Sequence, residues 1–195
     1  MSTRERLVAW RGVDPDRVDA ARVVLHDDRL SAWGTSCAGD HTTAYRLVTG
    51  AGWVTRELDV TCRDAAGERR LELRRADDGR WSARRWSRGQ ETPVTLPDLD
   101  GALDCDLALC PLTNTMPLLR LRAAGTEATG ALVMAWVAVP GLEVLASEQR
   151  YGPSTPTPDG GAAVRFATDG FAATIVVDAD GLVVDYPGIG RRLTG

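Results

Sequence analysis

From residue 53 to residue 62 apolar and polar side chains alternate. Val54, Arg56, Leu58, Val60 and Cys62 fall on one face, and Thr55, Glu57, Asp59 and Thr61 on the other, which is the period of a strand with one buried face. Residues 44–48 are also β-prone, and Thr49-Gly50-Ala51-Gly52 between the two runs supplies a turn, so the pair reads as a hairpin. Residues 71–75 and 80–86 flank Asp77-Asp78-Gly79, a strong short hairpin signal, and Asp178-Ala179-Asp180-Gly181 joins residues 171–177 to 182–186 in the same way. The two devices are alike, but their flanks do not repeat. Near the amino end, Asp14-Pro15 could cap a helix over residues 17–24, or could turn the chain between strands at 7–10 and 18–25; the strand pair is the expectation adopted.

Residues 131–139 are apolar on both strand faces, with Leu132, Met134 and Trp136 on one and Val133, Val137 and Val139 on the other, until Pro140-Gly141 ends the run. A strand dry on both sides must be covered twice, as in a sheet that curls over itself or a roll enclosing a cavity. Residues 150–161, rich in Pro, Ser, Thr and Gly, read as a mobile loop. The segment 104–121 holds Pro111 and Pro117 with Thr113, Asn114 and Thr115 between them. Two prolines so close exclude a helix interior. The expectation is a specified loop in which Thr113 and Asn114 bond their own backbone, turning extended at Pro117 with Leu119 and Leu121 on one face and Arg120 and Arg122 on the other.

The length of 195 residues, with 44% of them hydrophobic, suits one domain spanning 1–195. The net charge of −4 argues against nucleic acid or an anionic membrane surface as the main partner. Every basic residue apart from the two histidines is arginine. The amino terminus carries no apolar targeting stretch, and no run is long enough to span a bilayer, so a cytoplasmic location without membrane insertion is expected. Cys37, Cys62, Cys105 and Cys110 have no metal-ligand or redox spacing and read as plain thiols. His26-Asp27-Asp28 could offer metal ligands, but a charged turn explains it better. Neither a metal nor a cofactor is expected.

The candidate chemistry is sparse. No nucleophile elbow, phosphate-binding loop or His-Glu-x-x-His is present. Asp104 and Asp106, two apart, could form an acid/base pair on one face, although carboxylates entering a Pro-bounded loop more often accept its backbone N–H groups. Arg56 interrupts an otherwise apolar face, and Arg46 repeats the pattern more weakly. A buried guanidinium must be paired. A structural ion pair, with Asp104 or Asp106 for example, and a ligand contact are both open. Aromatic faces suit sugar rings, though any single Trp in a β protein is more often core.

The run Asp104-Cys105-Asp106-Leu107, continued in Pro111-Leu112-Thr113-Asn114-Thr115-Met116-Pro117-Leu118-Leu119-Arg120-Leu121, resembles the signature of the Putative glycolipid-binding family of bacterial proteins, formerly a domain of unknown function. Tyr45-Arg46, Trp53-Val54-Thr55-Arg56, Asp78-Gly79-Arg80-Trp81, Gln149-Arg150-Tyr151 and the segment 181–187 follow in the matching order. Leu119 stands where the family pattern carries a second arginine, so a paired-arginine anchor is not implied. The resemblance implies an all-β fold of one antiparallel, strongly curled sheet, a spiral β-roll or barrel-like form with little helix. It implies non-catalytic binding of an amphipathic glycolipid or lipid in an apolar interior with a polar mouth. Candidate ligand contacts are Tyr45, Arg46, Trp53, Arg56, Trp81, Asn114, Arg120, Trp136, Tyr151 and Tyr186; candidate loop-shaping residues are Asp104, Asp106, Pro111, Thr113, Thr115 and Pro117. The alternatives are a small-molecule enzyme using Asp104 or Asp106, and a structural or partner-binding module.

Overall fold

A computed structural model describes residues 3–125 and 130–194. Its strands are β1 (Arg4–Gly12), β2 (Arg17–Leu25), β3 (Leu30–Ala38), β4 (His41–Thr49), β5 (Thr55–Asp64), β6 (Gly67–Arg75), β7 (Trp81–Ser87), β8 (Gln90–Thr92), β9 (Asp104–Leu107), β10 (Leu132–Val137), β11 (Val144–Pro156), β12 (Ala162–Thr168), β13 (Phe171–Val177), β14 (Val183–Tyr186) and β15 (Gly190–Arg192). One helix, α1 (Thr115–Ala124), follows a 3-10 turn at Pro111–Asn114. All fifteen strands belong to one sheet, ordered β8-β7-β6-β5-β4-β3-β2-β1-β15-β14-β13-β12-β11-β10-β9. The end strands do not pair with each other, so the sheet is open. The expected hairpins at 44–62, 71–86 and 171–186 are all formed, as is the first strand pair.

Pairing is antiparallel throughout except between β9 and β10, which run parallel. Parallel neighbours cannot be joined by a tight turn and need a crossover. Residues 108–131 supply it, and α1 lies within them.

Two apolar cores result. The first gathers Trp10, Val23, Leu25, Leu30, Leu47, Leu58, Val60, Leu71 and Leu73 from β1–β6 with Cys105, Ala135 and Val137 from β9 and β10. The second gathers Met134, Tyr151, Val164, Phe166, Ile175, Val177, Val183 and Tyr186 with Leu118 of α1. Strand β10 therefore buries Ala135 and Val137 in one core and Met134 in the other, the double cover that its two apolar faces require. The Thr55 N–H donates to the Leu103 carbonyl at 3.0 Å and the Thr55 hydroxyl accepts from the Cys105 N–H at 3.0 Å. These bonds tie β5 to β9 and its lead-in across the first core. The Trp10 indole N–H, fully buried, donates to the Val183 carbonyl at 2.8 Å and joins the two cores.

Four expectations need correction. First, residues 115–124 are helical rather than extended. Pro111 opens the 3-10 turn and Pro117 falls in the first turn of α1, where the missing N–H would have no intrahelical partner anyway. Gly125, at φ 63°, closes the helix by donating to the Leu121 and Arg122 carbonyls, a left-handed cap that suits glycine.

Second, Arg56 is not on the buried face. The β4–β5 register shifts between Val48 and Thr49, so Thr55 pairs with Thr49 and Glu57 with Val48. The extra residue is Arg56, and a bulge sends Thr55 inward in its place. Thr55 is fully buried, while Arg56 ion-pairs with exposed Asp77. Arg46 likewise lies on the outer face and pairs with Glu57.

Third, residues 150–156 continue β11 instead of forming a loop. The pairing with β12 is interrupted between Tyr151 and Ser154, where Gly152-Pro153 sits, and then resumes to Pro156. Only residues 157–161 turn, with the Thr157 N–H donating to the Gly161 carbonyl.

Fourth, Asp104 and Asp106 lie on a strand rather than in a loop, and side chains rather than backbone N–H groups hold them.

Candidate functional site

Because β9–β13 lie side by side, their alternating side chains build one concave surface. Asp106 stands opposite Trp136, Trp136 opposite Leu145, Gln149 opposite Thr168, and Thr168 opposite Phe171. The turn at residues 107–110 walls one side, and Tyr186 and Ile189 close another. The enclosed cleft has a volume of about 560 Å³, within the range of small-molecule sites. Its aromatic wall consists of Trp136 and a mutually packed set in which Phe166 lies 5.6 Å from Tyr186 and 6.2 Å from Phe171, ring centre to ring centre. Its polar groups are Asp106, Asn114, Ser147, Gln149, Thr168 and Asp169.

These polar groups are connected. Thr113 Oγ1 donates to Asp106 Oδ1 at 2.6 Å, and Gln149 Nε2 donates to Asp106 Oδ2 at 2.6 Å. The Tyr151 hydroxyl lies 2.8 Å from Gln149 Oε1 and 3.0 Å from Asn114 Oδ1. With one proton, it donates to one of them at a time. Asn114 occupies the N-cap position of α1 but does not cap it; its side chain serves Tyr151, contrary to the expected bond within its own turn. Thr113 Oγ1 also lies 3.0 Å from the Cys110 carbonyl of its own turn, an alternative acceptor for its single proton.

Behind this network, Asp104 is buried and paired with Arg120, whose Nη1 lies 3.0 Å from Oδ1. Burial pushes the Asp104 carboxyl up, and the Arg120 guanidinium pulls it back. Burial also pushes Asp106 above the usual carboxylate range, while the bonds from Thr113 and Gln149 oppose it and the nearby Asp104 carboxylate adds to the rise. A raised folded-state pKa means that the native state holds its proton more tightly than the unfolded chain. Stability from this group is therefore present at low pH and declines as pH rises through the raised value. Urea midpoints followed from about pH 4 to about pH 7 should show a decline in the wild type that Asp106→Asn reduces; parallel curves for the two proteins would contradict this assignment.

The candidate residues divide between the cleft and the rest of the fold. Asn114, Trp136 and Tyr186 line the cleft together with Asp106, and Tyr151 lies beneath it. Arg120 acts on Asp104. Tyr45 is buried in the first core beside a hollow of about 20 Å³ shared with Asp19 and Cys110. Burial raises the Cys110 thiol to about 12 despite a hydrogen bond with Tyr45. Trp53 packs on the first core. The Trp81 indole donates to the Ala102 carbonyl at 3.1 Å. Arg46 and Arg56 pair on the outer surface. Pro111 and Thr115 are buried at the start of the crossover, with no partner for the Thr115 hydroxyl.

Sequence reasoning named Gln149 only within the family-like run and passed over Phe166, Phe171 and Arg17. The two phenylalanines flank the Asp169-Gly170 turn, and the alternation Val164, Phe166, Thr168 marks their face. Gln149 and Tyr151 alternate in the same way. Arg17 and Asp19 begin the inward row that continues with Ala21, Val23 and Leu25. Arg17 Nη2 donates to the Leu109 carbonyl at 2.5 Å and to the Ile189 carbonyl at 2.8 Å, while Nε lies 3.0 Å from Asp19 Oδ2. This guanidinium supports the cleft wall from behind. A Cβ on Gly12 would come within 2.4 Å of Arg17 Cγ, so the arginine needs a glycine there.

An open β-sheet that carries one helix and an aromatic-walled, acidic cleft defines an all-β protein with a concave site on one sheet face. The chain belongs to the family described as "Putative glycolipid-binding", whose model it matches over residues 7–192. It is similar to a DUF1089 family protein from Pseudomonas aeruginosa, whose crystal structure shares 27% identity and superposes with a TM-score of 0.67, covering 90% of this chain and 92% of that one. No curated protein matches the chain. Among the described residues no group of three or more His, Cys, Asp or Glu side chains could hold a metal, and no helix is long and apolar enough to cross a membrane.

Proposed function

We propose that this protein binds an amphipathic, glycolipid-type molecule without transforming it, acting as a single cytoplasmic domain whose strongly curled sheet presents the cleft between β9 and β14. The observation that carries this reading is the cleft itself. Aromatic and aliphatic side chains and a cluster of polar groups line one space large enough for a sugar ring and the first part of a tail. The head group lies against Trp136, Asn114 and Gln149, and the tail runs along Leu107, Leu109 and Leu145. The family description supports a ligand of this class.

The state of the carboxylates supports binding over catalysis. Asp104 is closed in its pair with Arg120, and each oxygen of Asp106 already accepts a bond from Thr113 or Gln149. Neither carboxylate is poised for proton transfer to a substrate. Native mass spectrometry of protein purified without detergent should show a carried lipid mass. Trp136→Ala should weaken displacement of a fluorescent amphiphile by up to about tenfold, the equivalent of about 1.4 kcal/mol of ring contact. A lipid-free spectrum together with unchanged amphiphile affinity in the variant would refute the reading.

A further inference from the structure

The charges around the cleft are arranged asymmetrically. Asp106 and Asp169 line it, and no arginine or histidine does. Two guanidiniums behind its walls are held by protein groups: Arg17 pairs with Asp19 and donates through Nη2 to the Leu109 and Ile189 carbonyls, and Arg120 pairs with Asp104. An anionic head group entering here would meet two carboxylates and no cationic side chain in the lining.

The polar groups instead offer mixed capacity. Asn114, only 4% exposed, uses its amide oxygen for Tyr151, and no hydrogen bond is formed by its amide nitrogen among the described residues. That leaves an amide donor at the cleft wall that a ligand's acceptor can take up. Asp106 can accept further bonds through its remaining lone pairs, the Ser147 hydroxyl can donate or accept, and the Thr168 hydroxyl, 3.4 Å from it and donating to the Glu148 carbonyl at 2.8 Å, can accept. A sugar hydroxyl both donates and accepts, so it can use all of these groups. A quaternary ammonium would use none of the donors, and a fully ionised phosphate would use none of the acceptors.

We infer that the cleft selects an uncharged, polyhydroxylated head group, a neutral sugar rather than a phosphorylated, sulfated or cationic one. The inference rests on the binding function proposed above and adds the head-group class to it. Aromatic side chains beside such a polar cluster fit a pyranose, whose C–H face packs on a ring while its edge hydroxyls form hydrogen bonds.

The test uses decyl β-D-glucoside, decyl phosphate and decyltrimethylammonium, all below their micelle concentrations, titrated into the full chain and followed by calorimetry. Their tails are identical, so differences report the head group. The glucoside should bind at least about tenfold more tightly than either ion at low salt, and the disadvantage of decyl phosphate should shrink as salt is raised to about 0.5 M. Decyl phosphate or the ammonium compound binding as tightly as the glucoside would overturn the inference while leaving amphiphile binding intact. Binding of none of the three would overturn both readings. Methyl β-D-glucoside serves as the tail-free arm: affinity equal to that of the decyl compound would support the head-group inference and overturn the amphipathic one.

Discussion

Arg120→Met should destabilise the protein by about 3–5 kcal/mol near neutral pH, because it strands the buried Asp104 carboxylate without its counter-charge. The Asp104 side chain is 2% exposed and that of Arg120 21%, so solvent cannot replace the lost partner at the carboxylate. The pair joins β9 to α1, the helix within the crossover that leads to β10. Once the guanidinium is gone, burial acts on Asp104 with only the weaker pull of Arg75 against it and its pKa rises further, so the variant should lose less stability near pH 4.5 than at pH 7. Urea unfolding at the two pH values separates this from a simple packing defect, which would cost the same at both. The double substitution Asp104→Asn with Arg120→Met removes the stranded charge and should recover part of the loss.

Arg17→Met should cost a comparable amount, about 3–5 kcal/mol, for a different set of reasons. The substitution leaves Asp19 buried with its carboxyl already raised by desolvation, and takes the donor from two backbone carbonyls. One of these belongs to Leu109, which holds φ at 64°, a left-handed conformation unfavourable for leucine. The Arg17 hydrogen bond helps to hold that strained turn. Arg17→Lys should not restore stability, since an ammonium cannot reproduce the planar fork that reaches Asp19 and both carbonyls. Leu109 and Ile189 line the cleft, so amphiphile affinity should fall as well. Full retention of the urea midpoint in Arg17→Met would show that the buried charge is not supporting the wall.

Much of the fold is legible in the sequence because strand alternation and Gly-containing turns are local signals. Asp77-Asp78-Gly79 and Asp178-Ala179-Asp180-Gly181 mark their hairpins, and the doubly apolar run at 131–139 requires a strand between two cores. The failures also have physical causes. Pro117 was read as a helix breaker, but a proline in the first turn of a helix costs no hydrogen bond. Arg56 was read as inward because strict alternation was carried through residue 55, and a single inserted residue at a bulge reverses the faces beyond it. The proline-rich segment from residue 150 resembles a loop in composition, yet its pairing with β12 resumes after Gly152-Pro153.

Only part of the candidate site could be read. Asn114, Trp136 and Tyr186 meet at the cleft, and Asp106 joins them from outside the ligand-contact set. Phe166 and Phe171 were missed, and Gln149 was not assigned to the site, because their convergence depends on the register of β11, β12 and β13, a long-range property that no local pattern carries. Arg46, Arg56 and Arg120 stand out in the sequence as isolated charges, but their partners come from a neighbouring strand, from the turn after β6 and from β9.

The most direct test of the central claim, that the β9–β14 cleft is the ligand site, is to fill it. Ser147 lines the cleft near the start of β11, opposite Met134, and its hydroxyl makes a long 3.4 Å contact with Thr168. Ser147→Trp should therefore occupy the space with little loss of fold, which thermal unfolding would verify. Titration of decyl β-D-glucoside by calorimetry should give saturable binding to the wild type and a loss of more than about tenfold in affinity for the variant. Equal affinity for the two proteins, with both folded, would place the ligand elsewhere on the molecule and contradict the account.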